Sequence, residues 1–274
     1  MDKELPLESL IKRVPIFSAL PSAEIKVKKL AGLTNNNYHL EANNQKYVLR
    51  VPRQSTNKNI NRNHEAHNAD IAYQLGLAPK VLWREEGQGG FTGLSLVVAI
   101  DQPRTLMPTD WNDAETVNAI ADSLRSLQGS KHDFKGKLDH QSIAKHLNNY
   151  FQLCSTQQQE ELQTELQQAL KLLEDIKRHD RKPVPSHIDL VSENILQGEN
   201  RIWLIDWEYS AMASPFWDIA TIMNMGFFNE KKALDFLKSL IPDYTENDCR
   251  CLKKYQSIVS SISYFWSLAY LDQF

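Results

Sequence analysis

Apolar and polar residues alternate in short runs along the first third of the chain, and that alternation predicts strands. Ile25 to Leu30, Tyr38 to Ala42 and Lys46 to Val51 are separated by Gly32–Asn37 and by Asn43-Asn44-Gln45. Breaks this short leave room only for antiparallel neighbours, so the segment reads as a meander. From Asn59 to Leu75 the period lengthens to that of a helix, with Ile71 and Leu75 on one face and Gly76 as a stop ahead of Pro79. Strands return at Lys80–Arg84 and Leu94–Ile100, hinged by Gly87–Gly93. In that cluster Thr92 stands where the third glycine of a G-x-G-x-x-G nucleotide loop would fall, and a strand instead of a helix follows. The cluster therefore predicts a hairpin turn.

After Pro103 the pattern becomes helical, over Trp111–Leu127, Ser142–Leu153 and Gln157–His179. The Gln/Glu/Leu-rich stretch 157–173 is not low complexity in the structural sense, because Leu162, Leu166, Leu170 and Leu173 form a stripe on one helix face. A short β element is expected at Asn194–Leu196 and Arg201–Ile205 around Gly198-Glu199-Asn200. From Pro215 onward the chain reads helical again, broken by Pro242. The expected architecture is α+β: a small antiparallel β-sheet lobe over residues 1–100 and a larger, mostly helical lobe over 101–274. Leu7 to Leu20 reads either as a helix packed on the first lobe or as a partner surface.

Charge and composition narrow the function. The 31 Lys and Arg residues against 34 Asp and Glu give a net charge of -3 over 274 residues. No basic block offers the counterion-releasing stripe that duplex nucleic acid requires, so no nucleic-acid partner is expected. The longest apolar run, Leu94 to Ile100, falls far short of the roughly 20 residues that span a bilayer. Charges at Asp2, Lys3, Glu4, Lys12 and Arg13 interrupt any secretory core. The expectation is a soluble, cytoplasmic chain without membrane insertion. Cys154, Cys249 and Cys251 lack zinc-site spacing and read as fillers in a reducing compartment.

The most informative stretch is Ser186-His187-Ile188-Asp189-Leu190-Val191-Ser192-Glu193-Asn194, followed by Ile205-Asp206-Trp207-Glu208. A tight loop ending in Asn194 and entering a strand can hold Asp189 at the mouth of a pocket. The hairpin through Gly198 can bring Asp206 back beside Asn194. One carboxylate and one amide oxygen then converge, the hard donors that Mg²⁺ takes alongside water and phosphate, and Asp189 remains available to accept a proton. Taken singly, each of these residues is as readily a turn cap or strand end; the spacing of the whole set argues for a site. His187 has no second histidine at ligand spacing and reads as a brace for the loop.

These motifs resemble the catalytic and metal motifs of the aminoglycoside phosphotransferase and choline kinase superfamily, relatives of the protein kinases. The N-terminal half agrees. Ala31-Gly32-Leu33-Thr34-Asn35-Asn36-Asn37-Tyr38 is similar to the phosphate-covering turn of choline kinases, and Tyr47-Val48-Leu49-Arg50-Val51-Pro52 to the strand that presents a cation to ATP. Glu65 matches the helix glutamate that pairs with that cation. The resemblance implies a two-lobed protein-kinase-like fold and phosphoryl transfer from ATP with Mg²⁺. It makes Asp189 the catalytic base and Asn194 and Asp206 the metal ligands. Gly32, Thr34, Asn35 and Asn36 would cradle phosphate, with Arg50 neutralising it and Glu65 orienting Arg50. Asp218 would brace the catalytic loop, and adenine would lie against the connection after Leu96–Ile100, where Asp101-Gln102-Pro103-Arg104 departs from the usual acidic-glycine pattern.

For the acceptor, Ser263-Tyr264-Phe265-Trp266-Ser267-Leu268-Ala269-Tyr270 resembles the choline kinase helix that lends aromatic walls to a quaternary ammonium, with Ala269 where a second tryptophan often stands. Trp266 is the expected ring. Glu208, two residues beyond Asp206 on a segment read as extended, is expected to face the acceptor's positive charge. The implied acceptor is choline or a related amino alcohol such as ethanolamine. Thiamine follows, then aminoglycosides, whose several ammonium groups favour a more acidic pocket. A catalytically silent pseudokinase would lack at least one of Asp189, Asn194, Asp206, Arg50 or Glu65, and all are present. A protein kinase is disfavoured, because Ala-Pro-Glu is missing and Trp207-Glu208 follows Asp206.

Overall fold

The computed structural model describes residues 5–30, 32, 35–53, 60–199 and 201–270. Five strands build the first lobe: β1 (Lys26–Leu30), β2 (Asn35–Ala42), β3 (Gln45–Pro52), β4 (Val81–Gly87) and β5 (Gly90–Val98). They form an antiparallel sheet in the order β1-β2-β3-β5-β4. The meander is therefore as the alternation predicts, with β2 beginning three residues early because Asn35–Asn37 pair with Pro52–Arg50. The glycine cluster is a hairpin turn, with Gly87 opposite Gly90. Both strands run further into the cluster than expected, since Gly90 and Gly93 adopt positive φ without a Cβ penalty.

The N-terminal helices α1 (Leu7–Arg13) and α2 (Pro15–Ser18) pack on this sheet. Ile11, Val14 and Phe17 are buried with Leu40, Tyr47, Leu49, Leu94 and Leu96, and the Phe17 ring meets Tyr47 edge-on at 5.4 Å. Of the two readings of this segment, packing on the first lobe is the one observed. Strand β1 is exposed throughout and carries Lys26, Lys28 and Lys29 on the open edge, charges that discourage edge pairing with another chain.

Helix α3 (Arg62–Gln74) is capped by Asn61, whose side chain accepts the His64 amide at 3.1 Å. The first predicted residue, Asn59, lies outside the described residues. The buried face of α3 runs Arg62, Glu65, Asn68, Ile71, Ala72, polar in its first two turns and apolar after. Ile71 and Ala72, with Leu77 and Ala78, join the core of the second lobe, so the helix spans both lobes.

The second lobe contains α4 (Ala114–Gln128), α5 (His140–Leu153), α6 (Thr156–Ile176), α7 (Phe216–Asn224), α8 (Glu230–Leu240) and α9 (Glu246–Tyr270). Asp113, Asp139 and Ser155 cap α4, α5 and α6, which fixes starts that periodicity alone places within a few residues. Leu162, Leu166 and Leu173 of the predicted stripe are buried and Leu170 is partly so. Short strands complete the lobe: β6 (Arg104–Thr105), β7 (Lys137–Leu138), β8 (Val184–Ser186), β9 (Ile195–Gln197), β10 (Ile202–Leu204) and β11 (Ala211–Ala213). The predicted hairpin is β9–β10, with β6 pairing β9, while β11 lies between β7 and β8. Among the described residues no helix is long and apolar enough to cross a membrane.

Candidate active site

The loop between β8 and β9 carries the predicted catalytic residues, and its shape is fixed by an aspartate from α7. Asp218, fully buried, accepts the backbone N–H groups of His187 and Ile188, each at 2.8 Å. Ile188 sits at φ 75°, a left-handed conformation that costs a β-branched residue about 1–2 kcal/mol. Its carbonyl accepts the Trp217 indole N–H at 2.9 Å. His187 Nε2 donates to the Ile205 carbonyl at 2.9 Å, and its ring lies 4.5 Å from that of Trp207. Burial pushes the His187 pKa down to about 4, so the imidazole stays neutral and braces the loop as expected.

Asp189 follows the strained residue and is half-buried. Burial, reinforced by the charge of Glu208, pushes its carboxyl up to about 6. Asn194 Nδ2 donates to Asp189 at both the backbone carbonyl (2.8 Å) and Oδ2 (3.0 Å). That turns the Asn194 amide oxygen away from Asp189. The Asn194 carbonyl in turn accepts the Ile205 N–H at 3.0 Å, which brings the start of the loop's strand against the residue preceding Asp206. Asp206 is left-handed at φ 65° and opens a single 3-10 turn, Trp207–Tyr209. Asn194 and Asp206, the two residues expected to hold a metal ion, are thus joined through the backbone of Ile205. Among the described residues no group of three or more His, Cys, Asp or Glu forms a self-sufficient metal cage.

Above Asp206 lies a buried array of charge. The Arg50 guanidinium on β3 pairs with Glu65 of α3, with Asp206, and with Glu208 Oε2 at 2.6 Å. Burial alone would lower the Arg50 pKa, but Asp206, Glu65 and Glu208 outweigh it and raise it. Burial pushes the Asp206 carboxyl up, against the pull of Arg50. Arg62 Nη1 reaches Glu65 Oε2 at 2.7 Å and Glu208 Oε2 at 3.1 Å, and Asn35 Nδ2 donates to the same Glu208 oxygen at 2.9 Å. Glu208 follows Asp206 through a 3-10 turn instead of the expected extended segment, and both carboxylates still meet the same Arg50 Nη2. The 3-10 turn swings its carboxylate, 1% exposed, into this array.

Gly32 is exposed, and a Cβ there would fall 2.4 Å from the Asn35 carbonyl, so the turn into β2 demands glycine. Asn36 is half-buried beside it on β2. Thr34 lies outside the described residues. One turn beyond Glu65, Asn68 locks α3 to the second lobe. Its side chain accepts Lys135 N at 2.7 Å and donates to Lys135 O (3.0 Å), Ser210 O (2.9 Å) and Ser210 Oγ (3.1 Å).

Aromatic side chains gather near Asp189. Trp266 stacks at a tilt on Tyr270, 5.8 Å between centroids, and Tyr270 meets Tyr150 of α5 edge-on at 6.0 Å. Burial pushes the Tyr150 hydroxyl up to about 12, with the charges of Tyr270 and Asp189 adding to it. Burial raises Tyr209 as well, followed by Glu208, Tyr150 and Asp189. Ala269 points into the core at 4% exposure. Tyr150, on another helix, and Tyr209, in the turn after Asp206, both lie close enough to Asp189 to feel its charge.

A two-lobed kinase-like fold with this loop, this cation and glutamate pair, and these oxygen donors defines a phosphotransferase. The chain belongs to the phosphotransferase enzyme family, matched over residues 26–245. Protein LicA of Haemophilus influenzae is 29% identical over 235 residues, covering 84% of this chain and 67% of that protein. The crystal structure of choline kinase LicA from Streptococcus pneumoniae superposes with a TM-score of 0.81 at 25% identity, covering 97% of this chain and 92% of the other. A LicA structure in complex with AMP gives a TM-score of 0.77 at 24% identity over 98% and 92%.

Proposed function

We propose that the chain is an ATP-dependent, Mg²⁺-requiring kinase that phosphorylates the hydroxyl of choline or a closely related amino alcohol. Residues 1–100 would form the nucleotide-binding lobe and 101–274 the catalytic and acceptor-binding lobe. The observations that carry this reading are the hydrogen bonds of Asn194 to Asp189 and the meeting of Asp206 with the Arg50–Glu65 pair. The likeness to choline kinase LicA and the aromatic side chains around Asp189 support the acceptor.

In this reading the acceptor hydroxyl oxygen attacks the γ-phosphorus of ATP, the bond from that phosphorus to the β,γ-bridging oxygen breaks, and ADP leaves. Asp189 orients the hydroxyl and takes its proton. Its raised pKa suits a base that must hold and release a proton near neutrality. Arg50, held by Glu65, neutralises phosphate, and the backbone at Gly32, Asn35 and Asn36 covers it. Mg²⁺ on Asn194 and Asp206 would neutralise charge on the phosphate oxygens. Trp266, with Tyr270, Tyr150 and Tyr209, would present ring faces to the acceptor's cation, an attraction of about 0.5–2 kcal/mol per ring. Glu208 would act on that cation through its field, from behind the ion-pair array.

The test is a panel of choline, ethanolamine, thiamine and an aminoglycoside, each with ATP and Mg²⁺, read as ADP released and as phosphorylated product by mass spectrometry. Choline or ethanolamine is expected to give the highest kcat/KM. Turnover of the aminoglycoside or thiamine with neither amino alcohol used would overturn the acceptor assignment, and no ADP release with any of them would overturn the activity.

A further inference from the structure

Arg62 belongs to none of the motifs that point to phosphoryl transfer, yet it is a buried cation at the centre of the site, 6% exposed on the first turn of α3. We propose that Arg62 is a positioning residue for nucleotide binding: a second cation that neutralises Glu65 and Glu208 so that Arg50 is left able to engage phosphate. The inference rests on the phosphoryl-transfer reading above and adds a residue to it.

The geometry is a closed ring of alternating charge. Arg50 pairs with Glu65 through Oε1 and with Glu208 through Oε2; Arg62 pairs with Glu65 through Oε2 and with the same Glu208 oxygen. Each glutamate therefore bridges the two arginines, and the ring is neutral by itself. Asp206 hangs outside it, on Arg50 alone of the two. The fold makes room for the second cation at a specific place: a Cβ on Gly93 of β5, at φ +97°, would lie 2.8 Å from Arg62 Nε. The last glycine of the cluster that resembles a nucleotide loop thus serves the site indirectly, by clearing the arginine.

Removing the positive charge of Arg62 would leave Glu65, Glu208 and Asp206 on one guanidinium in a poorly solvated place, where each pairing is strong. Incoming phosphate would then have to displace carboxylates from Arg50. With Arg62 present, one cation stays with the glutamates and the other has N–H donors to give, five being available on a guanidinium. An arginine that merely packs the first turn of α3 would stabilise the fold without this charge requirement.

The experiment is calorimetric titration with ADP in excess Mg²⁺, for the full chain and for Arg62→Met, Arg62→Lys and the double variant Arg62→Met/Glu208→Gln, together with kcat and both KM values. Losing a charge-assisted partner should weaken ADP binding in Arg62→Met by about tenfold or more. The KM for ATP should rise in step while the acceptor KM stays within about twofold. Arg62→Lys should recover part of the loss. The double variant, which removes one charge of each sign, should bind ADP within about threefold of the unsubstituted chain. ADP affinity unchanged in Arg62→Met, or a double variant no tighter than the single one, overturns the proposal while leaving phosphoryl transfer intact. An unsubstituted chain that fails to bind ADP overturns both. If Arg62→Met does not fold, the double variant decides alone: near-native ADP affinity supports the ring, and a tenfold loss refutes it.

Discussion

Replacing Asn68 by alanine should loosen the joint between the lobes, and the cost can be worked from its contacts. The side chain is wholly buried, accepts one amide N–H from Lys135, and shares its own two N–H groups among Lys135 O, Ser210 O and Ser210 Oγ. At about 1 kcal/mol net per bond, with a further increment for the void, the loss is roughly 3–4 kcal/mol. At about 2–4 °C per kcal/mol for a chain of this size, the melting midpoint should fall by roughly 6–16 °C. Asn68→Asp is the sharper variant. It keeps the shape and the acceptor for Lys135 N, but it turns a carboxylate oxygen toward the Ser210 and Lys135 carbonyls where a donor stood. It should therefore be at least as damaging as alanine at pH 8, and relieved as pH falls and the carboxyl protonates. Because Asn68 sits one turn beyond Glu65, both variants should also lower kcat. Calorimetric melts and steady-state rates measure this. An Asn68→Ala midpoint within about 2 °C of the unsubstituted chain, or an Asn68→Asp variant more stable than Asn68→Ala at pH 8, would refute the reasoning.

Two further outcomes follow from particular contacts. Hydrogen bonds from Arg181, then from Thr245, hold the Asp248 carboxyl down to about 2. A carboxyl whose folded pKa lies below its unfolded value of about 3.9 stabilises the fold above that value and loses the contribution as pH falls through the folded one. Urea unfolding should show Asp248→Asn less stable by about 2 kcal/mol above pH 4, with the gap closing toward pH 2; a gap that widens on acidification contradicts the pairing. Trp266→Ala should raise the acceptor KM by about 2–30-fold while leaving the KM for ATP unchanged, and an acceptor KM that does not move removes Trp266 from the site.

Much of the site is legible in the sequence because it is local. His187, Asp189, Asn194 and Asp206 lie on one loop and the hairpin that follows it, so spacing alone places their backbones together. The Arg50–Glu65 pair is legible only through family likeness, since nothing in a strand and a helix considered separately brings them into contact. What the sequence hides at Glu208 is the backbone: Asp206 takes a left-handed conformation and opens a 3-10 turn instead of an extended segment, and both carboxylates still reach Arg50 Nη2. Arg62 and Asn68 escape motif reading, yet they leave a signal. They continue, at three-residue spacing through Glu65, the same stripe as Ile71 and Ala72, so polar residues occupy a face that is buried further along. A polar stretch in register with an apolar stripe marks a helix that buries charge. Tyr150 and Tyr209 leave no such trace, because their approach to Asp189 depends on how α5 and the turn after Asp206 pack.

The central claim is that Asp189 is the base of an ATP-dependent phosphoryl transfer to an amino alcohol. Its most direct test is formation of phosphocholine from choline, ATP and Mg²⁺ by the unsubstituted chain and by Asp189→Asn, with ADP affinity measured on both. Phosphocholine should form in the first case and fall by about 10²–10⁴-fold in the second, with ADP affinity retained within about threefold. Equal rates from the two chains, or an Asp189→Asn variant that loses ADP binding along with turnover, would contradict the account.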